Sequence, residues 1–340
     1  MRALPYLRLV FVSASAILLA FGLVPAAFAA EDDPAAAAAL QVDNAYSSLS
    51  EVAATQELFD VCVSNNLGKN VQAAIAEGAN VHGTLGGGET PLMVCTGSSR
   101  ESDVEALLAA GADPNAQSVD GTTALMLAAK TGQIGVIKRL LAAGANASST
   151  DAFGNTPLLV AAMHGQASVI PLLCGAGAST DVTKKNGRSP LMYAANNGYA
   201  DVALALIQAG ADVNLCDTQG LSPLIAAVAA GQAEVVAVLL EAGARVNAQT
   251  VGGNVTALHV AAGIGDIHIV KILIAAGADV LLTTSDDVDA STLVLKGPQP
   301  ASAERHAIAD LLSSMSGGQK GDHRARAASE AADAAEDQEL

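Results

Sequence analysis

The 340-residue sequence contains no Trp, and aromatic residues make up only 3% of it. Large rings therefore cannot supply its core. Nor can they form the stacking platforms on which proteins hold single-stranded nucleic acid. Cations are scarce too: 17 Lys and Arg stand against 34 Asp and Glu, a formal charge of −17. A chain this acidic is repelled by phosphate backbones, which argues against nucleic acid as a partner. The six histidines (His82, His164, His259, His268, His306 and His323) show no metal-ligand spacing, and neither H-E-x-x-H nor C-x-x-C occurs. Gly86-Gly87-Gly88 is followed by no Lys, and Gly68-Lys69 by no Ser or Thr, so neither is a phosphate loop. G-x-S-x-G is absent as well. No metal, cofactor or catalytic constellation is expected.

Only one run is apolar enough to cross a bilayer, and it lies at the N-terminus. Arg2 and Arg8 precede the uncharged stretch Leu9 to Val24, then come Pro25 and Ala27-Phe28-Ala29. A positive flank, an apolar centre and an A-x-A site describe a secretory signal peptide over 1–29, cut after Ala29. The alternative is an uncleaved signal anchor, since Leu9 to Ala30 is just long enough to span a membrane. No Cys sits at the cleavage site, which argues against a lipid anchor. Cleavage removes two Arg, leaving 15 cations and 34 acids, a charge of −19. An Ala-rich linker is expected over 30–50. The polar, acidic segment 317–340 lacks large apolar residues apart from Leu340 and is expected to be a disordered tail.

Between these ends the sequence keeps a beat of 33 residues. Gly-Ala pairs begin at Gly78, Gly111, Gly144, Gly177, Gly210, Gly243 and Gly277. A hydroxyl followed by Pro or Ala and then Leu recurs at Thr90, Thr123, Thr156, Ser189, Ser222 and Thr256. Nine residues after most of these hydroxyls stands a glycine: Gly132, Gly165, Gly198, Gly231 and Gly265. Three series with one period mean a solenoid. Local chemistry predicts each unit. Thr156 is a good N-cap, and Pro157 sits where a missing N–H costs nothing. Leu158, Ala161 and Ala162 follow a helical spacing that Gly165 ends. Val169, Ile170, Leu172 and Leu173 form the stripe of a second helix, closed by a left-handed Gly177. A polar loop follows. Such a unit cannot bury its own apolar face, so neighbours must stack in a row, with Ala128, Ala161, Ala194, Ala227 and Ala261 letting the first helices approach.

The boxes TALMLAAKTG, TPLLVAAMHG, SPLMYAANNG, SPLIAAVAAG and TALHVAAGIG, with the closing GADPNA, GADVN and GARVN, resemble ankyrin repeats. The resemblance covers about Glu57 to Ser314. It implies an all-α ankyrin-repeat solenoid of helix–turn–helix units with short hairpin-like loops over 51–316. Six full repeats are recognisable, with degenerate caps at about 57–83 and 284–316. Departures are informative. Ser99 stands where a glycine is expected, and VGGNV before Thr256 carries one extra residue. Gly86-Gly87-Gly88 predicts a mobile loop. The family's turn-stabilising His survives only as His259.

An exported chain could pair its four cysteines. Cys62 and Cys95 lie 33 apart at the buried Ala position of adjacent repeats. The resemblance implies that equivalent residues in stacked repeats lie roughly 10 Å apart, beyond the ~7 Å limit on Cα separation for a disulfide. Cys62, Cys95 and Cys174 are therefore expected to be buried thiols, with irregularity in the cap leaving a Cys62–Cys95 bond as the alternative. Cys216 lies in a loop. Asn146-Ala147-Ser148 and Asn254-Val255-Thr256 are glycosylation sequons, relevant only in a eukaryotic secretory route. The C-terminal DQEL is a poor match to a retrieval signal.

What remains is a recognition surface. The resemblance implies that loop tips and exposed ends of first helices hold a protein partner. Phe153, Met163, His164, Lys185, Arg188, Asn196, Asn197 and Tyr199 are the candidates near the middle of the row. Phe153 is one of only five Phe, and Lys184, Lys185 and Arg188 form a basic spot in an acidic chain. Aromatic and Arg side chains are the usual anchors of interfaces. The opposing reading is an ordinary solvated loop. The function expected is a non-enzymatic, monomeric scaffold, periplasmic or secreted. The alternatives are a membrane-anchored scaffold and an enzyme or ligand carrier.

Overall fold

The structure, a computed structural model, describes residues 50–63, 70–296 and 303–316. The expected signal peptide, linker and acidic tail lie outside the described residues. The chain divides into units Met1–Ser50 and Glu51–Leu340, and all described residues but Ser50 belong to the second.

Its described elements are all helices. The cap contributes α1 (50–63) and α2 (Val71–Ala76). The first repeat adds α3 (Pro91–Gly97) and α4 (Glu101–Ala109), and the second α5 (Ala124–Thr131) and α6 (Ile134–Ala142). The third adds α7 (Pro157–Met163) and α8 (Ile170–Gly175), and the fourth α9 (Pro190–Asn197) and α10 (Ala200–Gln208). Next come α11 (Pro223–Ala229) with α12 (Ala233–Glu241), then α13 (Ala257–Ile264) with α14 (Ile267–Ala275). α15 (Ala290–Lys296) and α16 (303–316) close the row. First helices pack on first helices, and second helices on second helices. Among the described residues there is no strand, only one isolated bridge between Thr283 and Asp289.

The repeating hydroxyl performs the same task six times. Thr90, Thr123, Thr156, Ser189, Ser222 and Thr256 each accept a hydrogen bond from the backbone N–H three residues on, at 3.2–3.4 Å. All six are buried, so a helix end that would be an unsatisfied donor inside the stack is satisfied locally. His259 completes a capping box. Its Nδ1 accepts from the Thr256 N–H at 3.1 Å, and its Nε2 lies 3.0 Å from the Leu282 carbonyl in the next loop. The alanines at 128, 161, 194, 227 and 261 are all fully buried, as close approach of first helices requires.

Local departures fall where the sequence places them. Ser99 takes the left-handed conformation in place of the missing glycine. Other hairpins are closed by an N–H to C=O bond across five residues, as from Asp151 to Asn155; the VGGNV loop closes across six, Thr250 to Val255, with Asn254 left-handed. The glycine loop is closed between Leu85 and Glu89 and tied to the next loop by Val119 N–H donating to Gly87 O at 2.9 Å.

The cysteines require a correction. Cys62 and Cys95 form a disulfide with a Cα separation of 4.6 Å, and both are fully buried. The 10 Å expectation assumed that the cap helix is a translated copy of α3. It spans 50–63 against the seven residues of α3, so it is not such a copy, and the two Cα atoms come within bonding range. Arg100 adds to this join by donating to Val61 O while pairing with buried Asp103 at 2.6 Å. Cys174 is only half-buried, at the edge of the core, and Cys216 is exposed; both are free thiols. Burial pushes both thiol pKa values up, and Asp217 adds to the effect at Cys216.

Candidate functional site

The candidate residues come from two neighbouring repeats, and α7 and α9 sort them into two groups. Phe153, Lys185 and Arg188 lie at the hairpin end, before the N-caps Thr156 and Ser189. Met163, His164, Asn196, Asn197 and Tyr199 lie at the opposite, turn end. An eight-residue helix is about 12 Å long, so the eight residues form two patches on one face rather than one cluster.

At the hairpin end Phe153 is 68% exposed. Its loop is ordered by Asp151, whose Oδ1 accepts from the N–H groups of Phe153 and Asn155 at 2.9 and 2.8 Å. Asp151 Oδ2 accepts from Asn155 Nδ2 at 2.6 Å. The carboxylate is thus engaged by its own loop, and the ring is the feature the tip offers. Across from it, Lys184 Nζ stands 5.5 Å from the centroid of the Tyr193 ring, a cation–π distance. Arg188 Nε is 3.6 Å from Asp217 Oδ2. Lys185 is exposed, with no ion partner among the described residues.

At the turn end Met163 is half-buried and His164 exposed, with its Nδ1 2.9 Å from Val160 O. Asn197 Nδ2 donates to Met163 O at 3.2 Å, and Asn196 Nδ2 to Asn197 Oδ1 at 3.1 Å. Tyr199 lies over the turn of the preceding repeat: a Cβ on Gly165, which has φ +77°, would come within 3.2 Å of its ring. Tyr199 is therefore a staple between turns as well as a partly exposed surface residue. Gln166 over Gly132, Gln232 over Gly198 and Arg305 over Gly265 make equivalent contacts.

Between the two patches, on the α5–α7 side, lies a groove of about 200 Å³. Met163 and His164 line it with Met126, Lys130, Asp151 and Asn155. The Asn155 Oδ1 atom is buried there without a hydrogen-bond partner. No group of three or more His, Cys, Asp or Glu among the described residues could hold a metal ion, and no described helix is long and apolar enough to cross a membrane.

Sequence reasoning missed a set of inter-repeat bridges. Asn115, Asn214 and Asn247, from the closing GADPNA, GADVN and GARVN, each reach into the next loop. Each donates through Nδ2 to a glycine carbonyl (Gly144, Gly243 or Gly277) at 2.9–3.4 Å. Each also accepts, through Oδ1, from an N–H two residues beyond that glycine at 2.8–2.9 Å. The recurrence of Asn at one loop position was the available signal.

Comparison with known proteins agrees with the fold. A family profile described as ankyrin repeats (3 copies) matches residues 58–151, 133–217, 158–250 and 205–284. The crystal structure of the human ASB11 ankyrin repeat domain superposes with a TM-score of 0.58 and 24% sequence identity, covering 65% of this chain and 96% of that one. No curated protein matches the sequence.

Proposed function

The chain belongs to the ankyrin repeat family, whose repeats generally mediate protein–protein interaction, and from that premise we propose that it is a monomeric, non-enzymatic scaffold acting in an exported compartment. It would hold one partner protein across the hairpin tips and turn ends of its third and fourth repeats. The observation that carries this reading is the placing of a 68%-exposed Phe153 and of Lys185, exposed and with no ion partner among the described residues, on consecutive hairpins. Large apolar side chains held in water by a well-ordered loop are the usual anchors of an interface. Binding would be rigid presentation of a surface, without chemistry. The buried Cys62–Cys95 bond supports export, because disulfides persist in oxidising compartments and are rare in the cytosol.

The test is cross-linked capture from the exporting compartment with the wild-type chain and with Phe153→Ala plus Arg188→Glu. Loss of a discrete partner in the variant supports the site, and unchanged capture of every partner refutes it. A second reading, a scaffold anchored by an uncleaved N-terminal helix, is favoured by the uncharged run Leu9 to Val24. N-terminal sequencing separates the two, since a mature start at Ala30 eliminates the anchor.

A further inference from the structure

The six seams between consecutive hairpins are not alike. At five of them the tips are joined by a backbone rung. Val119 N–H donates to Gly87 O and Ala152 to Asp120 O, both at 2.9 Å. Thr218 donates to Asn186 O at 3.2 Å, and Val251 to Gln219 O and Ser285 to Gly253 O at 3.0 Å. The series calls for a rung from Lys185 N–H to Phe153 O at the third seam, and none is present among the described residues. The tips have separated rather than lost one poorly aligned bond. A Cβ on Gly88, Gly121, Gly187 or Gly220 would lie 2.7–3.0 Å from the next hairpin's backbone, whereas one on Gly154 would meet nothing within 4 Å.

The bridges at the base of the loops fail at the same seam. The Asn position is Ser148 here, a side chain too short to span the gap, and no bond joins it to Gly177 or Ser179. The fourth seam keeps one base bridge, from Asp212 N–H to Asp181 Oδ1 at 3.0 Å. The first has none from His82 but retains its rung. Only the third lacks both. Outside the hairpins the third repeat is interrupted again. Pro171 has no N–H to give, so its second helix begins as a 3₁₀ turn (Ala167–Val169) and α8 has six residues where its counterparts have nine. The inner layer and the turns remain joined: Ala161 and Ala194 are fully buried, Asn197 holds Met163 O, and Tyr199 covers Gly165.

We propose that the stack is hinged at this seam. The repeats before and after it rotate about the stapled inner helices and turns, and the motion opens and closes the gap between the third and fourth hairpins. Phe153 and Lys185 stand on opposite lips of that gap. The hinge stands on the hydrogen-bond pattern by itself; its consequence, that partner binding selects a particular gap width, rests on the proposed function.

The full folded chain with Cys174→Ser and Cys216→Ser is spin-labelled in two pairs. Asp120 and Lys185 span the open seam and one bonded seam; Lys185 and Val251 span two bonded seams. The hinge requires a broader distance distribution for the first pair. Ser148→Asn, which restores the side chain that bridges to the following Gly carbonyl elsewhere, should narrow it. Amide exchange gives a second readout in the unlabelled chain: the Lys185 N–H should exchange about 5- to 10-fold faster than the Ala152 and Thr218 amides. Equal widths for the two pairs, or no narrowing with Ser148→Asn, would overturn the hinge. Loss of partner capture with Phe153→Ala beside equal widths would sink the hinge and leave the binding reading standing. Unequal widths beside unaltered capture would do the reverse.

Discussion

Removing the Cys62–Cys95 bond should detach the first cap from the stack. The bond closes a separation of 33 residues. In the chain-entropy treatment a loop of that size restricts the unfolded ensemble by about 4 kcal/mol at 25 °C. The substitution Cys62→Ala with Cys95→Ala isolates this effect. Alanine already fills the corresponding inner-helix site at Ala128, Ala161 and Ala194, all fully buried, so the replacement leaves little volume to collapse. Stability in a repeat array is approximately a sum of local and nearest-neighbour contributions. The loss should therefore appear as early melting of α1 and α2 rather than a uniform shift of the whole curve. Urea unfolding followed by far-UV circular dichroism should show a new low-urea transition, and dithiothreitol should reproduce it in the wild-type chain. Thiol titration of the unreduced, denatured protein should count two free cysteines, Cys174 and Cys216. Four titratable thiols, or identical curves with and without reductant, would refute the reasoning.

Other consequences are smaller in scale. Gly165→Ala forces a Cβ into a left-handed backbone and against the Tyr199 ring, which should cost about 1–3 kcal/mol in thermal or urea unfolding; Gly78→Ala, with nothing within 4 Å, carries the backbone strain alone and should cost less. Thr156→Ala removes the N-cap acceptor for Leu159 N–H and should cost about 0.5–2 kcal/mol by the same measurement. Burial holds the His259 pKa below 6.5, so the unfolded chain takes up a proton first as pH falls. Its contribution to stability is complete above about pH 6.5 and declines as pH drops from there toward the lower folded value. His259→Gln should flatten that portion of a stability–pH profile, and an unchanged slope would show that other groups govern it.

The repeat could be read without coordinates because its signals are local. An N-cap hydroxyl, a proline in the first turn, a left-handed glycine and a stripe of Leu and Ala each act within one turn of helix. The six buried caps, the buried alanines and the longer loop before Thr256 followed from such signals alone. The candidate surface residues came from the resemblance and not from such signals, and their division between the two ends of α7 and α9 is visible only in the structure.

Everything that depends on how one repeat meets the next was decided by the tertiary structure. A period of 33 states that equivalent residues recur, but not whether their side chains run parallel or face each other; for Cys62 and Cys95 that difference separates two thiols from a covalent bond. The same holds for Asn115 reaching Gly144 O, for Tyr199 lying over Gly165, and for the rung absent between Phe153 and Lys185. These contacts join groups about 30 residues apart, where a shift of a few ångströms in stacking makes or breaks a hydrogen bond. Local chemistry determined the unit, and packing between units determined where the row is stapled and where it is open.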